Sequence, residues 1–313
     1  MTPAGVLRGL RDEPTGGLLR AWRMERRDDE DSNAKGLVRD RPRLTRMTDL
    51  TDIQRGLVHG EFFLEYLPII SLTGGQCIGA EALVRWRHAA TVLQPSEFIP
   101  SIENTPVSGL LSYWVIDTVA TELGDWLRAN RDALISFNVP PEILGRGGLE
   151  YVAAKSGLID RPSQVMLEIT ERGIPDLLGV EAISYGQRRG LKIALDDVTL
   201  VGGANLAVLA RCDLFAIKLD KSLIDKIGRH CPAPEWLTAV TALLESSRLQ
   251  VIAEGVETEQ QAMTLRAAHV QAAQGFYFSR PIPAAAFMEF YRGRGISGGS
   301  TASSAATNPP QRC

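Results

Sequence analysis

The chain predicts an α/β fold, a TIM-type (β/α)8 barrel, from three observations. First, short apolar runs recur, each ending on one oxygen-bearing or cationic side chain. Residues 77–80 lead to Glu81, 134–137 to Asn138, 165–167 to Glu168, 192–195 to Asp196, 215–217 to Lys218, 251–253 to Glu254 and 272–273 to Gln274. Such runs without alternation suit parallel strands buried on both faces. Second, most intervals hold a helical stretch, as βαβ crossovers require. Third, about seven or eight such units over roughly 240 residues is the size of one barrel. The C-terminal strand ends of that fold open into one pocket, so the terminal side chains converge although they are distant in sequence.

In chain order, residues 1–54 are expected to be a disordered or poorly structured extension. They are dense in Arg, Asp and Glu, with the run Arg26-Arg27-Asp28-Asp29-Glu30-Asp31 and few aliphatics after Leu19. That is too little apolar surface to offset the entropy of ordering. Met47 stands just before the first folded-looking residues as an alternative start, and residues 51–59 suit a lead-in helix. Residues 61–72 place Phe62, Leu64, Tyr66 and Pro68 on one alternation, and Gly74-Gly75 joins them to a second run, 76–86, as a β-hairpin.

Pro95 opens a helical region that continues over 110–127, with Leu111, Trp114, Val115, Thr118 and Val119 at core-facing spacing. Pro140-Pro141 stops the strand before it and suits a first helical turn. Residues 175–189 and 235–247 read as crossover helices, and Thr258-Glu259-Gln260-Gln261 as a capping box starting a helix to His269. From residue 293 the chain is rich in Gly, Ser, Thr and Ala, a flexible tail to 313. The barrel is thus expected over 55–292.

Composition narrows the function classes. The 313 residues carry a net charge of −3, with 44% hydrophobic and 23% charged residues, which disfavours a general nucleic-acid binder. No apolar run approaches the ~18 residues needed to span a bilayer, so no membrane partner is expected. Cys77, Cys212, Cys231 and Cys313 lie far apart with no C-x-x-C pair, which disfavours a zinc site or disulfide framework and makes a cytoplasmic setting the default. His59, His88, His230 and His269 fall outside the strand-end series.

The pair Asp196-Asp197 is the anomaly of the series. Two buried carboxylates side by side repel, so one goes neutral unless a cation sits with them, and hard divalent cations favour such oxygens. Taken alone, Asp-Asp is equally a turn, Asn138 before Val139-Pro140 a turn residue, and Lys218 a lysine paired to the aspartates.

Read together, the motifs resemble a known family. Glu81-Ala82-Leu83-Val84-Arg85-Trp86, Phe137-Asn138-Val139-Pro140, Leu167-Glu168-Ile169-Thr170-Glu171, Asp196-Asp197, Ile217-Lys218-Leu219-Asp220, Ala253-Glu254-Gly255-Val256-Glu257 and Gln274-Gly275-Phe276-Tyr277-Phe278 follow the order and spacing of the EAL domain, the cyclic-di-GMP-specific phosphodiesterases of bacterial signalling. The resemblance covers about residues 55–292. It implies a barrel whose first strand runs antiparallel to the rest, hydrolysis of cyclic di-GMP to linear pGpG, Mg²⁺ or Mn²⁺ with two ions per active site, and a homodimer. By the same resemblance Glu81, Asn138, Glu168 and Asp196 hold one metal and Asp197 helps hold the second. Lys218 neutralises charge and orients water, Glu254 is a metal-site or general-base acid, Gln274 supports the pocket, and Arg85 pairs with a substrate phosphate. Glu171 and Glu257 support loops.

Two departures bear on activity. Leu67 stands before Pro68 where the family has Gln, and Val198-Thr199-Leu200-Val201-Gly202-Gly203 replaces the family's Phe-Gly-Thr-Gly after the aspartates. The competing reading is a weak or inactive domain that senses cyclic di-GMP or docks a protein. Retention of every metal-site acid favours the enzyme. Tyr66, Trp86, Phe276 and Tyr277 are expected in the barrel core.

Overall fold

A computed structural model describes residues 50–170, 175–199, 213–228 and 234–294. The expectations for residues 1–49, Glu171, the loop from Leu200 to Gly203 and the tail from 295 lie outside them. The chain enters through helix α1 (Leu50–His59) and forms a hairpin of β1 (Phe62–Ser71) and β2 (Cys77–His88), with β3 (Thr91–Leu93) appended to β2. Helices α2 (Pro95–Phe98) and α3 (Pro106–Ala129) lead to β4 (Leu134–Asn138). The series continues through α4 (Gly148–Ser156), β5 (Val165–Thr170), α5 (Leu177–Arg188), β6 (Lys192–Val198), β7 (Ala216–Leu219), α6 (Lys221–Ile224), α7 (Glu235–Ser246), β8 (Gln250–Ala253), α8 (Glu259–Ala267), β9 (Ala272–Ala273) and α9 (Ala284–Gly293).

The strand order β1-β9-β8-β7-β6-β5-β4-β2 closes through the β1–β2 pairing into an eight-stranded barrel. Strand β1 is antiparallel to both neighbours, and the pairings from β2–β4 round to β8–β9 are parallel. The expected capping box is present: the Thr258 side chain accepts from the Gln261 N–H while Gln261 reaches back to the Thr258 backbone. The proline pair yields only a 3-10 turn, Pro141–Ile143, and the helix waits for Gly147, whose φ of 81° suits glycine.

Core packing sorts by strand alternation. Outward-facing residues such as Leu64, Tyr66, Ile135, Phe137, Leu167 and Ile217 pack under the helices. The barrel interior is filled by Ile69, Leu134, Met166, Ala194, Ala216, Ile252 and Ala272. Five of these stand two residues before Glu168, Asp196, Lys218, Glu254 and Gln274, so a mainly apolar plug lies one pleat beneath the functional layer. Tyr66 is fully buried in the main core as expected. Two corrections follow: Trp86 is fully buried in a separate cluster with Ile53, Phe62 and Phe98, and Phe276 and Tyr277 are 52% and 42% exposed. The latter two follow Gly275 on the turn leaving β9, outside the alternation that would carry them into the core.

Candidate functional site

The parallel strands from β2 round to β9 each bring a polar side chain to the barrel mouth, and the cluster is built round a cation. Lys218 at β7 is fully buried, with Nζ 2.6 Å from Glu254 Oε1, 2.8 Å from Glu168 Oε2, 3.1 Å from Glu81 Oε2 and 3.2 Å from Asp196 Oδ1. Two amides link the acids. Gln274 donates from Nε2 to Glu81 at 2.5 Å and to Glu254 at 3.1 Å. Asn138 donates from Nδ2 to Glu81 at 3.2 Å and to Glu168 at 3.3 Å. The series read from the sequence therefore meets in one network, and Lys218 engages four acids rather than the aspartates alone.

Adjacent residues in a regular strand face opposite ways, yet Asp196, Asp197 and Glu254 bring carboxylate oxygens within 4.8 Å of one another. A bulge reconciles the two. Leu195 pairs with Ile217 and Val198 with Leu219, so β6 carries one extra residue over that interval. Asp197 adopts φ 56°, a left-handed conformation that Asp tolerates better than most side chains. Sequence reading missed this backbone turn. It placed the unusual backbone after Asp197, whereas the described part of the bend falls on Asp197 itself.

Four acids around one ammonium leave a surplus of negative charge. Burial works against the Lys218 ammonium, but Asp196, Glu168, Glu254 and Glu81 together hold it charged well above its ordinary range. Burial, reinforced by Glu81, raises Glu168 well above the usual carboxylate range. Desolvation also outweighs Lys218 at Asp196, which is raised, and at Glu254, which is pushed up to about 8. Glu81 goes the other way: despite burial, the Lys218 charge and the Gln274 hydrogen bond keep it low. Protons thus share the compensation with Lys218.

A divalent cation fits this arrangement. Glu168 Oε1 and Gln274 Oε1 are buried oxygens with no hydrogen-bond partner among the described residues. Carboxylate and amide oxygens are the donor set of hard divalent ions, and such an ion would take up the charge surplus. The acidic cluster is able to hold a metal.

The remaining expected residues lie apart from this network. Arg85 is buried four residues beyond Glu81 on β2, donating from Nε to Glu65 Oε2 at 2.8 Å and from Nη1 to the Val84 carbonyl at 2.9 Å. Glu65 escaped the sequence reading. Its signal was its place in the hairpin, where 63, 65 and 67 alternate opposite to the apolar face. Glu257 is exposed and bonds Lys221 Nζ at 2.9 Å. Glu171 is outside the described residues.

Known proteins share this architecture. The profile of the EAL domain family matches residues 50–281. An uncharacterized protein of Mycobacterium tuberculosis is 34% identical over 250 residues, 77% of this chain and 40% of that protein. The cyclic di-GMP phosphodiesterase RocR of Pseudomonas aeruginosa is 32% identical over 81% of this chain and 67% of its own length. The solved PaMucR phosphodiesterase in complex with c-di-GMP superposes with a TM-score of 0.67 at 27% identity, covering 76% of this chain and 98% of that one. The chain thus spans less than half the length of the first of these relatives. Among the described residues, no helix is long and apolar enough to cross a membrane.

Proposed function

The chain belongs to the EAL domain family, and from that premise we propose that it hydrolyses cyclic di-GMP to linear pGpG, using divalent ions bound at the strand-end acids. The observation that carries the reading is the convergence of Glu81, Asn138, Glu168, Asp196 and Glu254 on buried Lys218. A site that only bound a ligand would have no evident use for so many acids beside a phosphodiester. Cyclic di-GMP is anionic, and the acids repel it unless cations intervene.

Glu81, Asn138, Glu168 and Asp196 would hold one ion and Asp197 would help hold a second, with Mg²⁺ or Mn²⁺ suited to the oxygen donors. Such ions supply a nucleophile at neutral pH and neutralise charge on the phosphoryl oxygens. The chain's own groups do the rest. Glu254, held by Lys218 and Gln274, accepts the proton of the attacking water. Lys218 stays charged through the cycle and fixes Glu254 and Glu168 by direct ion pairs. Gln274 ties Glu254 to Glu81, so the base cannot swing away from the acids. Water oxygen bonds to phosphorus, the P–O3′ bond breaks, and O3′ takes up a proton from solvent to become a hydroxyl, leaving the 5′-phosphate of pGpG. Arg85 takes a ligand phosphate further up the same wall, and Glu171 and Glu257 support the loops. The active form is a cytoplasmic homodimer. The test is nucleotide analysis after incubation with cyclic di-GMP and Mg²⁺ or Mn²⁺: pGpG supports the reading, and an unchanged substrate at every metal concentration overturns it.

A further inference from the structure

Glu65 belongs to no metal-ligand series, yet its Oε2 accepts from Arg85 Nε at 2.8 Å. In the β1–β2 register Leu67 faces Glu81, Glu65 faces Leu83 and Phe63 faces Arg85, so all six share the face that carries Glu81 into the pocket. Glu65 and Arg85 are diagonal neighbours on that face, within reach of long side chains. Arg85 stands about 13 Å beyond Glu81 along the strand. It is on the same wall, where a ligand seated on the acids extends toward the rim.

The guanidinium is 6% exposed, and a buried cation needs partners for its N–H groups. Of the five donors of an arginine, Nε–H goes to Glu65 and one Nη1–H to the Val84 carbonyl. Three N–H groups, two of them on Nη2, have no further hydrogen bond among the described residues and remain to bind a phosphate. Glu65 therefore occupies the Nε edge of the guanidinium and leaves Nη2 for a ligand. Glu65 is less buried, at 29% side-chain exposure, so its carboxylate reaches Arg85 without full loss of hydration.

We infer that Glu65 is a positioning residue: its carboxylate fixes the Arg85 guanidinium so that Nη2 is presented to a phosphate of the cyclic dinucleotide. This rests on the reading of the chain as a cyclic-di-GMP phosphodiesterase and adds to it a residue that acts through Arg85 alone. The carboxylate contributes geometry at some cost in positive potential, and an amide keeps most of the geometry because Gln retains an acceptor oxygen.

The test is a double-mutant cycle on the full chain, with Glu65→Ala, Glu65→Gln, Arg85→Ala and the Glu65→Ala/Arg85→Ala pair. Each is assayed for kcat and KM with Mg²⁺ or Mn²⁺, and for cyclic di-GMP affinity with Ca²⁺ in their place, a hard cation that also takes oxygen ligands. Glu65→Ala is expected to raise KM and weaken affinity about tenfold, as loss of a hydrogen bond to a charged group does, with kcat within about threefold. Glu65→Gln is expected to restore most of that loss, and Glu65→Ala to add nothing once Arg85 is Ala. Should Glu65→Ala not express folded, Glu65→Met, similar in length but without an acceptor oxygen, takes its place: a loss in Glu65→Met that Glu65→Gln restores supports the inference. Additive losses, a loss confined to kcat, or no loss from Glu65→Ala in an active enzyme overturns it. An unaltered chain that neither binds nor cleaves cyclic di-GMP overturns the functional reading and this inference together.

Discussion

Lys218 Nζ and Glu254 Oε1 stand 2.6 Å apart, the shortest of the four ion pairs that surround the lysine, and they come from neighbouring strands, β7 and β8. Only this ammonium bonds all four acids, so the metal-free pocket depends on it. Lys218→Met is expected to abolish turnover and to destabilise the metal-free chain at pH 8 by about 3 kcal/mol, the scale for removing one partner from a buried pair. The loss shrinks at pH 6, where the acids take up protons instead. Added Mn²⁺ or Mg²⁺ recovers more of the thermal midpoint in Lys218→Met than in the unaltered chain. A variant as stable as the parent at pH 8 without metal would contradict this account.

The raised carboxyls fix the sign of the pH dependence. Glu254 is near 8 when folded against an ordinary 4.5, and Glu168 and Asp196 are also raised. Between those values the folded chain holds protons that the unfolded chain has released, so metal-free stability falls as pH rises from about 4.5 to 8. Glu81, held low, opposes this only below its ordinary range, and Lys218 titrates above the window. Denaturant unfolding with chelator at pH 5, 6, 7 and 8 checks the slope, and Glu254→Gln is expected to flatten it. A slope of opposite sign would mean that the acids are ionised and otherwise compensated.

The bulge at Asp197 separates charge from backbone. Asn tolerates a left-handed φ and keeps the amide oxygen, so Asp197→Asn is expected to leave stability within about 0.5 kcal/mol while metal affinity falls. Asp197→Val loses the same carboxylate and adds the strain of a β-branched residue at φ 56°, about 1–2 kcal/mol. Calorimetric metal titration alongside unfolding of both variants distinguishes the two effects. Equal stability of Asn and Val would remove the argument from strain.

That bulge also marks where sequence reading stopped. The strand-end side chains were legible because each closes an apolar run, and a run fixes both the strand and the end at which its polar residue emerges. Barrel closure followed from the count of units. What two adjacent aspartates do on one strand is decided by a single extra residue in the β6–β7 register, which no local pattern reveals. Glu65 was passed over for a similar reason, since its partner is set by the β1–β2 register and not by any motif. Phe276 and Tyr277 were assigned to the core on hydrophobicity alone, and the backbone turn at Gly275 carries them outward.

Gly275 supports the last prediction. Its φ is 147°, which disfavours any side chain, and a Cβ there would lie 2.3 Å from both the N and the O of Val256, backbone atoms that cannot step aside cheaply. The contact joins the turn after β8, which carries Glu254, to the turn after β9, which carries Gln274, through the Val256 N–H to Gln274 C=O hydrogen bond of 3.1 Å. Gly275→Ala must push these turns apart, lengthening the Gln274–Glu254 contact that holds the proposed base beside Glu81. The expected result is a loss of about 2 kcal/mol or more in stability, as for other strained backbone positions, together with a fall in kcat that excess metal does not restore. Gly228→Ala is the control, because nothing lies within 4 Å of its added Cβ, and it should change neither quantity appreciably. Unfolding and steady-state kinetics on both variants decide the matter. Parent-like turnover by a destabilised Gly275→Ala would show that the two turns tolerate separation and that Gln274 does not position Glu254.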